Sequence, residues 1–419
     1  MAELFQALDQ FPVTLKHWLV GHLQNILPEW AVPLVSAALS IAPILAVFPL
    51  LFALTTVIER KGLGRIQNRI GPNRVGIPLT NIRLAGFGQF IADGIKSLTK
   101  EDLVPHAADK VVHFIAPIAL LIPVLLTYSV LPIGRNMVPL ELPQTGLLFF
   151  FAIGASTELS VFMAGWSSRN KYSLLGAMRA IAQMVSYEIP LILSALTVVM
   201  ISGTLSLSGI VERQMWSMPL PGIPGGQEGL LAHWFLFTPW GFVGFLLFLT
   251  AAAAEANRTP FDLPEAESEI VAGYFTEYSG FKFAIFFLGE YLGLFSMCGL
   301  GITLFLGGWL PPVNIAPLTW IPSWCWFLGK LCGFIVLFIW LRGTLPRLRT
   351  DQLMNFAWKF LLPMTLINLV VAALWHLLAG SVPLIVRWPL CFAMLAVPYW
   401  LLSRGFEAKF TKREYRFAS

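Results

Sequence analysis

The sequence predicts an all-α fold, a polytopic transmembrane helical bundle of eight or nine spans with an amphipathic interfacial helix in the first cytoplasmic loop. Its 419 residues are 57% apolar and only 12% charged, and the mean hydropathy is +0.72. Apolar runs of about 20 residues, each long enough to cross a bilayer, recur along the chain. A transmembrane barrel would instead show alternating segments of about ten residues. This composition also excludes a soluble enzyme.

Nine apolar segments are the candidate spans. Residues 1–32 precede them and are predicted to be a mobile or interfacial leader without a cleavable signal peptide. Residues 33–380 are predicted to form the core membrane domain, and residues 381–419 an extra span with a basic cytoplasmic tail. The segment 328–342 is short and the segment 384–403 is the weakest, which leaves eight or nine spans. The candidates lie near 33–58, 112–132, 145–165, 174–203, 238–257, 282–307, 328–342, 355–379 and 384–403.

The distribution of Lys and Arg predicts the orientation of the chain. If all nine segments cross the membrane, 23 of the 28 Lys and Arg fall on the side of the C-terminus. Because cytoplasmic loops are enriched in these residues, this side is predicted to be the cytoplasm and the N-terminus to lie outside. The net charge of +5 follows from this orientation and requires no nucleic-acid partner.

The cysteines and glycines form no cofactor motif. The four cysteines make no CxxC pair, which argues against an iron–sulfur cluster or a Cys-type zinc site. The glycine pairs at 62/64 and 86/88 do not complete a dinucleotide-binding pattern after a strand. We therefore expect no metal site, no catalytic residue and no redox cofactor held by this chain.

The first long connection, residues 59–111, is predicted to contain an amphipathic helix near the inner membrane surface. Its apolar face could be a surface anchor or one wall of a cavity for a lipid-like ligand. Before it, residues 59–76 are rich in glycine and predict a tight, non-helical loop that presents arginines to lipid headgroups or to a specific ligand. The apolar face consists of Phe87, Phe90, Ile91, Ile95 and Leu98, and the arginines are Arg65, Arg69 and Arg74.

Four glutamates fall inside predicted spans. A charge at the centre of a lipid-facing helix costs about 3 kcal/mol or more, so each should face protein, water or a cation. Each could hydrogen-bond to a neighbouring helix for structural reasons, or together they could form a chain of protonatable sites. Their occurrence on four spans favours the chain. They are Glu158, Glu188, Glu255 and Glu290.

More carboxylates follow one of these glutamates directly. The span that carries Glu255 breaks at residues 257–260, and the loop beyond it is predicted to lie on the cytoplasmic side. Six carboxylates within 23 residues are unusual in a chain with so few charges. After Glu255 they are Asp262, Glu265, Glu267, Glu269 and Glu277.

Four motifs in these regions resemble one family, the membrane-embedded H subunits of NADH-quinone oxidoreductase (respiratory complex I, NDH-1). The similarity extends in order over roughly residues 33–380, and the last motif is the most specific. The motifs are GPNRVG (71–76), IADGIKSLTKED (91–102), KYSLLGAMRAIAQMVSYEIP (171–190) and AEANRTPFDLPEAESEIVAGYFTEYSG (254–280).

The resemblance implies a function for the whole chain. Such a subunit is part of a proton-translocating NADH:quinone oxidoreductase in the bacterial inner membrane, where it shapes the quinone chamber and couples quinone reduction to proton translocation. Quinone is the substrate, whereas NADH, FMN and iron–sulfur clusters are bound by partner subunits. The implied partners are the peripheral quinone-site subunits, the antiporter-like membrane subunits and membrane lipids. The implied chamber loops are 59–111, 166–190 and 258–281.

The resemblance also implies roles for individual residues. Arg65, Arg69, Arg74, Phe87, Phe90 and Ile91 match the quinone chamber. Asp93, Glu158, Glu188, Glu255 and Glu290 match the proton path. The coupling loop is matched by Arg258, Asp262, Glu265, Glu267, Glu269 and Glu277.

Three other functions are considered. An equivalent subunit of a membrane-bound hydrogenase or formate hydrogenlyase would share the fold and most of the acids, but the agreement at residues 65–76 argues against it. A stand-alone cation/proton antiporter would carry an embedded lysine, and no lysine lies in the middle of a predicted span. A purely structural anchor would not need the four glutamates. The leader and residues 384–419 depart from many family members.

Overall fold

The apolar segments of the sequence form helices throughout the described part of the chain. The computed structural model describes residues 2–24, 28, 30–76, 85–215, 233–263, 272–313 and 315–404. The helices are α1 (Ala2–Gln24), α2 (Val32–Ile66), α3 (Gln89–Thr99), α4 (Lys110–Thr127), α5 (Gly146–Ser167), α6 (Lys171–Ser202), α7 (Leu207–Arg213), α8 (Pro239–Glu255), α9 (Gly280–Phe305), α10 (Ala316–Thr319), α11 (Ser323–Thr344), α12 (Thr350–Leu377) and α13 (Leu384–Arg404).

The predicted all-α membrane bundle is confirmed. Within the described residues, eight helices are long and apolar enough to cross a membrane: α2, α4, α5, α6, α9, α11, α12 and α13. Helix α8 is apolar but has only 17 residues. Each of the nine predicted segments coincides with one of these helices, including the weakest, which forms α13.

Several helix boundaries differ from the predictions. Helix α2 continues to Ile66, so the prediction of a non-helical loop was wrong for residues 59–66. The chain leaves the helix only around Asn68, whose φ of 54° lies in the left-handed region. Helix α11 begins at Ser323, five residues before the predicted span. Residues 2–24, predicted as a mobile or interfacial leader, form helix α1. The Asp9 carboxylate of α1 accepts two hydrogen bonds of 2.6 Å from Ser323 at the start of α11.

The longer α11 overturns one expectation about lysine. Lys330 lies inside this span, where its ammonium group donates to the carbonyls of Leu306, Gly308 and Leu310 at 2.6 to 2.8 Å. It also lies 4.3 Å from the ring centre of Trp234. These carbonyls follow the C-terminal end of α9, where a positive charge is stabilised by the helix dipole. The absence of an embedded lysine therefore cannot be used against an antiporter.

Helix α13 is packed into the bundle against α12 and α8. Its Arg387 is 1% exposed, and the guanidinium group lies 4.3 Å from the ring centre of Trp375 on α12. Arg387 also donates to the Trp375 carbonyl at 3.4 Å. A buried arginine held at the end of a neighbouring helix indicates a specific contact, since such a charge is not tolerated in lipid without partners.

Candidate functional site

Three of the predicted proton-path glutamates lie close together. Glu158 of α5, Glu188 of α6 and Glu255 at the end of α8 are near enough to interact electrostatically. Glu255 is buried, with 8% of its surface exposed, and the other two are half-buried. Helices α5 and α8, which carry Glu158 and Glu255, both pack along α6.

The fourth embedded glutamate reaches the same region through a cavity. The cavity has a volume of about 60 Å³, and Glu255 and Glu290 both line it. The remaining lining is mostly small or apolar, including Gly154, Thr157 and Ser296. A space of this size holds a few water molecules, which need polar partners such as these. The structure thus brings together Glu158, Glu188, Glu255 and Glu290, a grouping that helical periodicity cannot reveal.

The end of α8 is held by a buried amide of α6. The Gln183 side chain is fully buried, and its Nε2 lies 2.7 Å from the Ala254 carbonyl and 2.6 Å from the Phe261 carbonyl. It also lies 3.2 Å from Oδ1 of Asn257, a residue with a φ of 50°. Gln183 therefore supplies hydrogen-bond donors to the carbonyls of this turn. This turn ends α8 at Glu255 and directs Arg258 back into the protein.

Arg258 belongs to a second polar cluster, on the side of α9 and α2. Its guanidinium group lies 3.8 Å from the ring centre of Tyr291. The Tyr291 hydroxyl donates to Glu59 at 2.5 Å, and Glu59 also forms an ion pair with Arg342 of α11. Glu59 is only 6% exposed. Glu59, Tyr291 and Arg342 are not among the predicted site residues. Glu59 directly follows the predicted end of a span, and a charged residue after an apolar segment is usually a loop residue.

The acidic loop is described only at its two ends. At the first end, Asp262 is buried and forms an ion pair of 2.7 Å with Arg347. At the second end, Glu277 accepts a hydrogen bond of 2.7 Å from Asn170, the residue that precedes α6. Three of the predicted acids lie outside the described residues, namely Glu265, Glu267 and Glu269.

Asp93 is not placed with the other predicted proton-path residues by any described contact. It lies on α3 and forms an ion pair of 2.6 Å with Arg60 of α2. Gln89 donates to it at 3.0 Å, and Lys96 lies at 3.7 Å. Asp93 therefore joins the amphipathic helix to the C-terminal end of α2.

The predicted chamber residues surround this junction. The amphipathic helix forms as α3, with the predicted Phe87 in the turn before it. Phe87 and Ile91 are 42% and 54% exposed, and Phe90 is half-buried. Arg65, Arg69 and Arg74 are exposed, and Arg69 donates to Gln67 at 2.7 Å.

The loop 71–76 packs against the start of α3. Gly86 has a φ of 79°, and a Cβ atom there would overlap the Pro72 carbonyl, so only glycine allows this approach. The ammonium group of Lys61 donates to the Ala85 carbonyl and lies 4.9 Å from the ring centre of Phe87. The end of α2, the loop and α3 are therefore one packed unit with an exposed apolar side.

Comparisons with known proteins agree with this architecture. A family model described as NADH dehydrogenase matches residues 39–373. The NADH-quinone oxidoreductase H subunit of Geobacillus kaustophilus is 47% identical over 315 residues, which cover 75% of this chain and 86% of the relative. The same-named protein from Dehalococcoides mccartyi (strain CBDB1) is 47% identical over 325 residues, covering 78% and 82%. That from Brevibacillus brevis is 44% identical over 352 residues, covering 83% and 94%.

The matched region contains the four embedded glutamates, the Glu59 cluster and both ends of the acidic loop. Helix α1 and helix α13 lie outside it. The extent and identity of the match are those of members of one family, and the chain belongs to the family of NADH-quinone oxidoreductase H subunits.

Proposed function

We propose that this chain shapes the quinone-binding chamber of a proton-translocating NADH:quinone oxidoreductase and couples quinone reduction to proton translocation through its buried carboxylates. The observation that carries the proposal is that Glu255 interacts with Glu158 and Glu188 and shares a cavity with Glu290, which makes neighbours of carboxylates from four helices. Isolated structural glutamates would be expected at separate helix contacts, each with its own partner. A contiguous group instead supports transfer of protons between neighbours.

Quinone reduction supplies the driving event in this proposal. Conversion of a quinone to a quinol adds two electrons and two protons, and the electrons come from a partner subunit. Before the protons arrive, negative charge is created in a medium of low dielectric constant, where it acts strongly on nearby charged groups. Proton uptake by the Glu158, Glu188 and Glu255 group would compensate this charge. Water in the cavity would connect Glu255 with Glu290.

The chamber itself is proposed to lie beside the packed unit of α2, loop 71–76 and α3. Its exposed apolar side includes Phe87, Ile91, Ile95 and Leu98, which suits an isoprenoid tail bordered by the peripheral quinone-site subunits. The polar cluster of Glu59, Tyr291, Arg258 and Arg342 adjoins the same end of α2 and would face the quinone head group. Asp262 and Glu277 lie at the two ends of the acidic loop. They would transmit the change of charge in the chamber to the embedded glutamates.

The test is Glu255→Gln in the assembled complex, reconstituted into vesicles. Because glutamine keeps the shape of the side chain but carries no exchangeable acid proton, we expect proton translocation per quinone reduced to fall several-fold. The matched control is Glu141→Gln, an exposed glutamate outside the helices, which is expected to leave the ratio unchanged. Wild-type translocation together with wild-type quinone reduction in the Glu255 variant would contradict the proposal.

Copurification tests the proposed partners. An affinity-tagged chain is expected to recover peripheral quinone-site subunits and antiporter-like membrane subunits from the bacterial inner membrane. Recovery of a nickel–iron catalytic subunit in their place would show that the chain serves a hydrogenase instead.

A further inference from the structure

His113 is a buried titratable side chain that the proposed mechanism does not use. It lies in the first turn of α4 and is completely shielded from solvent. Its ring stacks on Tyr278, with ring centres 4.0 Å apart and planes inclined by 6°. Within the described part of the chain, neither ring nitrogen makes a hydrogen bond of normal geometry, although the Glu277 backbone lies beside the ring.

Tyr278 belongs to the segment 272–279, which connects the acidic loop to α9. Its hydroxyl lies 3.3 Å from the Ser167 hydroxyl at the end of α5. Burial raises the pKa of Tyr278 to about 12, so its hydroxyl stays protonated at physiological pH. Of the two stacked side chains, only the histidine is of a type whose charge changes between about pH 5 and 8.

The same segment holds one of the embedded glutamates. The Tyr274 hydroxyl donates to Glu290 at 2.9 Å. The rings of Tyr274 and Tyr278 both pack edge-on against Phe286, at 5.9 and 4.8 Å between ring centres. A shift of Tyr278 is therefore transmitted to Tyr274 through the short backbone between them and through the shared Phe286 ring.

Three charged groups act on the imidazole from the segments around it. Glu277 comes from the segment 272–279, Lys282 from the first turn of α9 and Asp102 from the connection before α4. Lys282 and Asp102 form an ion pair of 2.8 Å, and α4 itself begins with Asp109 and Lys110. A protonated ring is repelled by Lys282 and attracted by the two carboxylates. The neutral and protonated rings thus favour different positions of the Glu277 segment.

We propose that His113 is a positioning residue whose neutral ring holds the segment 272–279 in place for the Tyr274–Glu290 hydrogen bond, and whose protonation displaces that segment. The inference rests on the proposed function, because Glu290 is part of the proposed proton path. Protonation of His113 draws Glu277 away from Asn170 and loosens the stack with Tyr278. Acidification of the cytoplasmic side then lowers the number of protons translocated per quinone reduced.

The test compares the pH dependence of that ratio in vesicles that contain the assembled complex. In the wild type the ratio is expected to fall about twofold between about pH 7 and about pH 5, the acidic part of the range in which histidines titrate. His113→Phe keeps a ring on Tyr278 but cannot be protonated, so its ratio is expected to stay constant over this range. His106→Gln alters an exposed histidine of the connection before α4 and should keep the wild-type profile. A wild-type profile in His113→Phe overturns the proposal.

A second measurement needs no variant. Hydrogen exchange of residues 272–279 in the wild-type complex, corrected for the intrinsic effect of pH, is expected to be faster at about pH 5 than at about pH 8. Unchanged exchange overturns the role of His113. If exchange responds to pH while Glu255→Gln translocates protons normally, the proposed function fails and the His113 contact stands.

Discussion

Replacement of Arg342 with leucine is expected to destabilise the protein by about 3 to 5 kcal/mol, because it leaves a buried charge without its partner. Arg342 forms an ion pair with Glu59, whose side chain is 8% exposed. Tyr291 would still donate to the carboxylate, but a hydrogen bond from a neutral hydroxyl compensates less of a buried charge than an ion pair does. The measurement is denaturant unfolding of the purified chain in detergent micelles, followed by tryptophan fluorescence.

Two further variants separate a buried-charge effect from loss of side-chain volume. Arg342→Leu combined with Glu59→Met removes both charges and is expected to recover most of the lost stability. Arg349→Leu removes an arginine from an exposed pair with Asp351 and should have little effect, since solvent screens such pairs. If Arg342→Leu is no more harmful than Arg349→Leu, the Glu59 charge is stabilised by other groups.

Gly176→Ala is expected to cost about 1 to 3 kcal/mol and also to impair proton translocation, because the site has no room for a methyl group. A Cβ atom at Gly176 would lie 2.6 Å from the Gly273 Cα and 3.0 Å from the Tyr274 backbone nitrogen. Backbone atoms cannot turn away as side chains can. Helix α6 and the segment 272–279 would therefore separate, and Tyr274 would move away from Glu290.

The control for Gly176 is Gly329→Ala, in the membrane-spanning helix α11. A Cβ atom at Gly329 meets no atom within 4 Å, and alanine favours helix by about 1 kcal/mol over glycine. Unfolding in micelles and translocation in vesicles are measured for both variants. Equal behaviour of the two variants would contradict the close approach of α6 to Gly273.

Hydropathy and charge predicted the parts of this protein that depend on local sequence. All nine apolar segments coincide with helices, and the amphipathic face of α3 forms where its spacing indicated. The embedded acids Glu158, Glu188, Glu255 and Glu290 were identified because a charge in an apolar run is conspicuous. These predictions succeed because a span in a bilayer must form its backbone hydrogen bonds within its own helix and must be apolar over its length.

Helix ends were predicted less well, for a physical reason. Glu59 and Lys330 were not counted among the embedded charges because each lies near the edge of an apolar run. Both lie within helices, where distant groups compensate their charges: Arg342 for Glu59, and the carbonyls beyond α9 for Lys330. A hydropathy scale measures how unfavourable a charged residue is in an apolar segment, but it contains no information about a partner on another helix.

The sequence by itself determined that this is a helical membrane protein of the complex I type with acids inside its spans. Only the tertiary structure decided that Glu255 lies near Glu158 and Glu188 and shares a cavity with Glu290, whereas Asp93 pairs with Arg60 of α2. It also decided that His113 stacks on Tyr278. The rotation and depth of each helix relative to its neighbours determine such contacts, and these depend on the packing of whole surfaces. The period of a single helix shows which residues share a face, but not which helix that face meets.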